Sequence, residues 1–305
     1  METYAVERHP PQSPSPAHAD KIMQRFQKDV FPWLGKTPVA SIKPMDVLTC
    51  CQRIADRGAA DTAYRAKQNI GQAMRYAVAT GRAERDPTAD LRGVLKKPKS
   101  KHFAAITSVA EVGALLRAID GFKGTLVVQS ALCLAPLVFV RPGELRGAQW
   151  AEIDFERAEW RIPAERMKRR REHIVPLSRQ AAAILRDLQP LTGERQHVFA
   201  GRDPKKPMSD AAVNAALRRM GYDTKTEITG HGFRAMARTI LHEELGVDRD
   251  VIEHQLAHRV PDALGEAYNR TKFLKERRVM MQRWADYLDT LKAGAEVVAL
   301  PSRVT

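Results

Sequence analysis

From His18 onward, apolar residues recur every three or four positions in one short segment after another, most of them closed by a glycine or a proline. That spacing is the stripe of an amphipathic helix, so the chain must bury helix faces against one another rather than pair strands. Ile22, Phe26 and Val30 make the first stripe, and Pro32 and Gly35 are expected to stop it. Pro44 opens a second through Val47, Cys51 and Ile54 to Gly58. Asp61 is placed to cap a third, which runs through Ile70, Met74 and Ala77 to Gly81. A short fourth helix is expected near 91–95. Only two runs break the pattern: Glu159-Trp-Arg-Ile-Pro163 and His173-Ile-Val-Pro-Leu177 read as a small antiparallel hairpin around the basic turn Met167-Lys-Arg-Arg-Arg171.

The expected fold class is therefore mainly α: an N-terminal helical bundle over residues 18–95, then a mainly helical second domain over 107–293 that carries the β-hairpin. Thr107 and Ser108, followed by Glu111, form a capping-box pattern where that second domain opens. Its helices are expected at 108–120, 123–138, 142–148, 179–189, 209–220, 231–245, 248–257 and 273–292. Lys96, Lys97, Lys99 and Lys101, with Pro98 among them, read as a basic linker over 96–106. Residues 1–17, rich in proline, read as a disordered leader, and 294–305 as a tail. Leu274, Val279, Trp284 and Leu288 line one stripe of the last helix, which either packs on its own domain or docks into a neighbouring protomer.

Fifty Lys and Arg against 36 Asp and Glu in 305 residues leave a formal charge of +14. The excess is +7 in residues 1–100 and +7 in 101–305, so each half has its own basic face, and a basic tail on a neutral enzyme is excluded. A polyanionic partner follows. The three cysteines exclude a disulfide framework, and the adjacent Cys50 and Cys51 with the distant Cys133 have no zinc spacing. The longest apolar run, 131–140, contains Pro136 and is too short to span a bilayer. A cytoplasmic protein with no membrane partner is expected.

Several chemical motifs fail. Gly35-Lys36-Thr37 resembles the end of a phosphate-binding loop, but Val30 stands where its first glycine is required. His254 and His258 have the helical spacing of a zinc protease, with Glu276 downstream, yet Gln255 replaces the glutamate that would act as base. No Gly-x-Ser-x-Gly elbow occurs. What remains is a set of cations and one tyrosine. Arg141 precedes Pro142 at a helix start, where free N–H groups already favour an anion. His231 and Arg234 lie three apart on one helix face. Lys168 sits in the hairpin turn, beside Arg169, Arg170 and Arg171. His258 ends an apolar helix, and Tyr268 follows ten residues later.

Taken together, Phe139-Val-Arg-Pro-Gly-Glu-Leu-Arg146, Glu165-Arg-Met-Lys168, His173-Ile-Val-Pro-Leu-Ser178, His231-Gly-Phe-Arg234, Gln255-Leu-Ala-His258 and Ala267-Tyr-Asn-Arg270 resemble the tyrosine recombinases, or phage integrases. The resemblance is strongest to integrases of satellite phages and genomic islands, which Met281-Gln-Arg-Trp-Ala-Asp-Tyr287 also resembles, and it covers about residues 18–292. It implies a DNA recombinase in which Arg141, Lys168, His231, Arg234 and His258 activate a phosphodiester and Tyr268 is the nucleophile. Glu144 matches a supporting acidic position that orients the arginine. The resemblance further implies double-stranded core or attachment sites as partner, a tetramer on DNA, an accessory DNA-bending or directionality protein, and no cofactor or metal. Relatives in that subgroup carry an N-terminal arm-binding domain, which this chain is expected to lack. Two alternatives stay open: a type IB topoisomerase, where the position of His231 is typically lysine, and a DNA-binding remnant without catalysis.

Overall fold

The computed structural model describes residues 16–95, 103–258 and 273–294. The chain divides into two compact units, with the boundary between Lys101 and His102. The expected leader, linker and tail fall mostly outside the described residues, and Lys96, Lys97, Lys99 and Lys101 fall wholly outside them.

In the first unit, helix α1 (Pro16–Arg25) widens into a π-helical turn, Phe26–Val30, and continues as one further turn, α2 (Phe31–Leu34). Pro32 does not stop the helix. It stands in the first turn of α2, where a missing N–H costs nothing, and the chain leaves at Gly35, whose N–H reaches the Phe31 carbonyl at 2.9 Å. Helix α3 (Pro44–Asp56) has Pro44 at its first position, and the Asp46 carboxylate accepts the Lys43 N–H at 2.9 Å. Helix α4 (Ala60–Ala79) begins one residue before Asp61, so Asp61 does not cap it and pairs instead with Arg65 one turn on at 2.6 Å. The expected fourth helix is only a 3-10 turn, Ala89–Leu91. The stripes meet as their periodicity requires: Ile22, Phe26, Val30, Val47, Cys51, Ile54, Ile70 and Met74 share one core.

The second unit is built around an apolar helix. Helices α5 (Val109–Asp120), α6 (Leu126–Val138) and α7 (Pro142–Arg146) come first. A three-stranded antiparallel sheet follows, β1 (Ile153–Asp154), β2 (Glu159–Ile162) and β3 (His173–Pro176), in the order β1-β2-β3, with Trp160 opposite Val175 and Ile162 opposite His173. Then come α8 (Arg179–Thr192), α9 (Ala212–Arg219), α10 (Gly232–Glu243), α11 (Arg249–Gln255) and α12 (Leu274–Ala293). Strand β1 is new relative to the sequence reading, because two residues are too few to show an alternation. Ser108 does occupy the position before α5, but its side chain makes no capping hydrogen bond.

Helix α6 touches α5, α7, α8, α9, α10 and α12. That explains why it is apolar on nearly every side. Helix α12 packs inside its own unit. A Cβ on Gly113 of α5 would lie 2.5 Å from the Leu291 carbonyl, and Arg117 donates to the Lys292 carbonyl at 3.1 Å. Trp284 is fully buried and donates its indole N–H to the Pro136 carbonyl at 2.9 Å. Val279 is 69 % exposed, so the buried stripe runs through Met280, Met281, Trp284 and Leu288 instead. Among the described residues no helix is long and apolar enough to cross a membrane.

Candidate active site

Helix α6 ends at Phe139, which takes a left-handed conformation (φ 36°) and turns the chain sharply into Arg141 and α7. A bulky residue in that conformation costs roughly 1–2 kcal/mol, and complete burial of the ring against Trp284 holds it there. Glu144, in the first turn of α7, folds back on Arg141. One carboxylate oxygen accepts the Arg141 backbone N–H at 2.9 Å and the other its guanidinium at 2.7 Å. Glu144 thereby fixes both the helix start and the direction of the arginine.

The segment His231-Gly-Phe-Arg234 opens α10. The Ala104 carbonyl accepts the Thr229 N–H at 3.2 Å and would lie 2.2 Å from any Cβ on Gly232, so only glycine lets that segment pass. The passing segment sets the Phe103 ring against the His231 imidazole, with centroids 4.2 Å apart. Burial first, then the charges of Arg234 and Arg141, push His231 below its usual value, with Glu144 opposing. The Arg234 side chain is buried. It donates to the Phe139 carbonyl at 3.0 Å, the Leu256 carbonyl at 2.7 Å and His258 Nε2 at 3.2 Å. It therefore joins the ends of α6 and α11 to the head of α10. Burial, followed by the neighbouring Arg141 charge, pushes this guanidinium down to about 10.

Helix α11 is capped by Asp248, whose carboxylate accepts the Asp250 N–H at 2.8 Å, and it leads to His258. His258 Nδ1 lies 2.5 Å from Glu253 Oε2. Burial dominates the downward shift of this imidazole, with Glu253 opposing and Arg234 adding to it. The structure thus brings together Arg141, Glu144, His231, Arg234 and His258 from three separate stretches of sequence. Lys168 is not in the cluster. It stands exposed in the β2–β3 connection with Arg169, Arg170 and Arg171, and makes no hydrogen bond among the described residues. Tyr268 lies outside the described residues. Among the other tyrosines, Tyr76 lies in the first unit, and Tyr222 is half-buried with its phenol pushed up by burial and then by Glu227.

No sequence pattern marks the groups that hold these side chains. Glu253 and Arg238 brace His258. Arg166 pairs with the buried Glu152 and donates to the Glu144 carbonyl at 2.9 Å, tying the base of the Lys168 turn to α7. The buried Arg277 of α12 donates to the Gln255 side chain at 2.7 and 2.9 Å and to the Ile174 carbonyl, joining α12 to α11 and β3. Burial leaves its guanidinium at about 10. His173, the first residue of β3, is buried and bonds the Gln255 carbonyl at 3.0 Å. The two-histidine spacing of a zinc site is occupied otherwise: both ring nitrogens of His258 face Arg234 and Glu253. Among the described residues no group of three His, Cys, Asp or Glu could hold a metal.

A basic, two-unit helical protein with two arginines and two histidines gathered at helix ends defines a class, and comparison with known proteins agrees. The phage integrase central domain matches residues 2–94, and the phage integrase family matches residues 106–275. The chain belongs to the phage integrase family of tyrosine recombinases. The integrase of Enterobacteria phage P4 is 39% identical over 286 residues, 89% of this chain and 65% of that protein. Prophage integrase IntZ of Escherichia coli (strain K12) is 40% identical over 280 residues, 92% of this chain and 68% of that protein. The chain thus spans about two thirds of the length of these relatives. Among solved structures, a lambda integrase dimer bound to a core site has a TM-score of 0.66 at 17% identity, covering 87% of this chain and 97% of that one. The Tn1549 transposon integrase in complex with circular intermediate DNA has a TM-score of 0.61 at 14% identity, over 90% and 98%. These neighbours share the fold.

Proposed function

We propose that this chain is a site-specific DNA recombinase that cleaves and rejoins double-stranded DNA through a 3′-phosphotyrosyl link on Tyr268, for integration or excision of a mobile element. The observation that carries the reading is the convergence of Arg141, Arg234, His231 and His258, in a family whose named members are integrases. Arg141 and Arg234 meet the non-bridging oxygens of the scissile phosphate, where charge grows in the transition state. Holding a free tyrosine ionised at pH 7 costs about 4 kcal/mol, and fixed positive charge nearby offsets that. Arg234 is suited to the task because two of its donors are already committed to main-chain carbonyls, so its direction is set before DNA arrives.

His231, whose charged form is disfavoured by burial and by two arginines, suits the part of base or proton shuttle. Lys168 is the general acid for the departing 5′-oxygen. Its exposure on the β2–β3 turn requires it to swing onto bound DNA, while Arg166 and Met167 anchor the turn behind it. The covalent link conserves the bond energy, so ligation needs no nucleotide cofactor. Two basic units suit a clamp on the duplex, with the lysines at 96, 97, 99 and 101 and the arginines at 169–171 on phosphates. Tetramer assembly and an accessory DNA-bending protein belong to the same reading, which places the protein in the cytoplasm on chromosomal DNA.

The test uses a pool of nicked duplexes with randomised cores, whose cleavage traps the enzyme covalently. Wild-type protein is expected to form a denaturation-resistant adduct, in EDTA as well, and Tyr268→Phe to form none while binding the pool equally. A wild-type chain that binds the pool without any adduct would be a DNA-binding remnant, and this reading would fall. Recombinant products, rather than relaxation of supercoiled plasmid by monomers, separate it from a topoisomerase.

A further inference from the structure

Helix α11 does not simply stop before His258. Ala257 takes a left-handed conformation (φ 50°), its N–H bonds the His254 carbonyl at 3.1 Å, and the His258 N–H bonds the Glu253 carbonyl at 2.9 Å. This paired closure of a helix end reverses the chain and lays a residue beside the one five positions earlier. Glu253 and His258 are thus joined twice, through the backbone and through the 2.5 Å contact between Oε2 and Nδ1. The other Glu253 oxygen accepts from Arg238 Nε at 2.6 Å, and Arg238 stands one turn beyond Arg234 on α10. Partial burial works against the Glu253 charge, but the bonds from Arg238 and His258 outweigh it and hold the carboxyl below its usual range.

A guanidinium has donors and no acceptor, so the Arg234 contact at 3.2 Å requires a lone pair on His258 Nε2. The ring proton then sits on Nδ1, facing Glu253. In this resting form Nε2 has nothing to donate to a phosphate oxygen. An anion entering the cluster takes the Arg234 donor for itself and adds negative charge beside Nε2. The charged groups around the ring are Glu253 on its own helix, Arg234 and Arg238 on α10, Arg141 before α7 with Glu144 behind it, and His231 at the head of α10.

We propose that Glu253, braced by Arg238, is a positioning residue that lets His258 take up a proton on Nε2 when a phosphate enters the cluster, so that the phosphate is met by an imidazolium clamped from behind. The proton comes from solvent, and Arg234 exchanges its histidine acceptor for a phosphate oxygen. The proposal rests on the reading that the cluster binds a phosphodiester.

The experiment follows the His258 ring by NMR in the full chain, assigned with His258→Gln, with inorganic sulfate as a non-titrating stand-in for phosphate. In wild type without sulfate, His258 is expected as the Nδ1–H tautomer, and saturating sulfate is expected to raise its midpoint. Glu253→Gln keeps the acceptor and removes the charge. It should keep the tautomer, lower the midpoint by about one pH unit, and lose most of the sulfate-induced rise. In single-turnover adduct formation, the alkaline limb of the Glu253→Gln profile should move down by a similar amount with its low-pH plateau kept, and Glu253→Asp should restore part of the shift. A Glu253→Gln chain that titrates like wild type, a resting Nε2–H tautomer, or no response of wild type to sulfate would overturn the proposal. Failure of the recombinase reading shows differently, as absence of any wild-type adduct while the His258 titration still depends on Glu253.

Discussion

Arg234 does two jobs with one planar group, because two donors hold main-chain carbonyls in fixed directions while its charge stays in the site. Lysine offers a point charge without that fork. Arg234→Lys is therefore expected to leave the Phe139 and Leu256 carbonyls unpaired, lower the melting temperature and abolish adduct formation; an active, equally stable variant would contradict the assignment. His173 makes a separate prediction. Burial, then the charge of Arg277, push its imidazole down to about 3, against an unfolded value near 6.5. Between those values the unfolded chain holds the extra proton, so stability is full above pH 6.5 and falls as the solution is acidified. The slope contributed by this residue is up to about 1.4 kcal/mol per pH unit. His173→Gln can still donate to the Gln255 carbonyl, and denaturant melts between pH 4 and 7 should show a flatter acid slope than wild type.

The elements that carry the site are braced by pairs that no local pattern displays. Glu152 and Arg166 are nearly buried and joined, and Trp160 donates to the same carboxylate at 3.0 Å. Arg166→Met strands that carboxylate, at a cost of about 3–5 kcal/mol, and Glu152→Gln in the same chain should recover part of it; urea melts measure both. Gly232→Ala is expected to cost roughly 1–3 kcal/mol, because the Ala104 carbonyl cannot retreat without giving up the Thr229 N–H. The helical stripes were legible because burial of one face needs only a period. Helix ends were less so: Asp61 sits inside α4 rather than before it, Ser108 caps nothing, and Pro32 falls where a helix tolerates it. Arg141, His231 and Arg234 were legible because short spacings at helix starts carry them, and Glu144 only through the family resemblance. Glu253 was not, since five positions is no helical face. It meets His258 only because Ala257 turns left-handed, which an alanine does not announce.

At the scale of the whole molecule, the proposed function with a charge of +14 shared between two units would make affinity for DNA an electrostatic quantity. The logarithm of the binding constant for random duplex should fall linearly with the logarithm of salt concentration, and a salt-independent affinity would remove the clamp reading. The part proposed for Lys168 is separable from this: Lys168→Ala should slow cleavage, and a 5′-bridging phosphorothioate, whose thiolate leaves without a proton, should restore much of the rate. No rescue would take Lys168 out of that part. The central claim is that the cluster around Arg141 and Arg234 delivers a phosphodiester to one hydroxyl. Peptide mapping by mass spectrometry of the trapped, nuclease-digested adduct tests it most directly. The account predicts a nucleotide joined through its 3′-phosphate to the peptide containing Tyr268; the same mass on any other residue would contradict it.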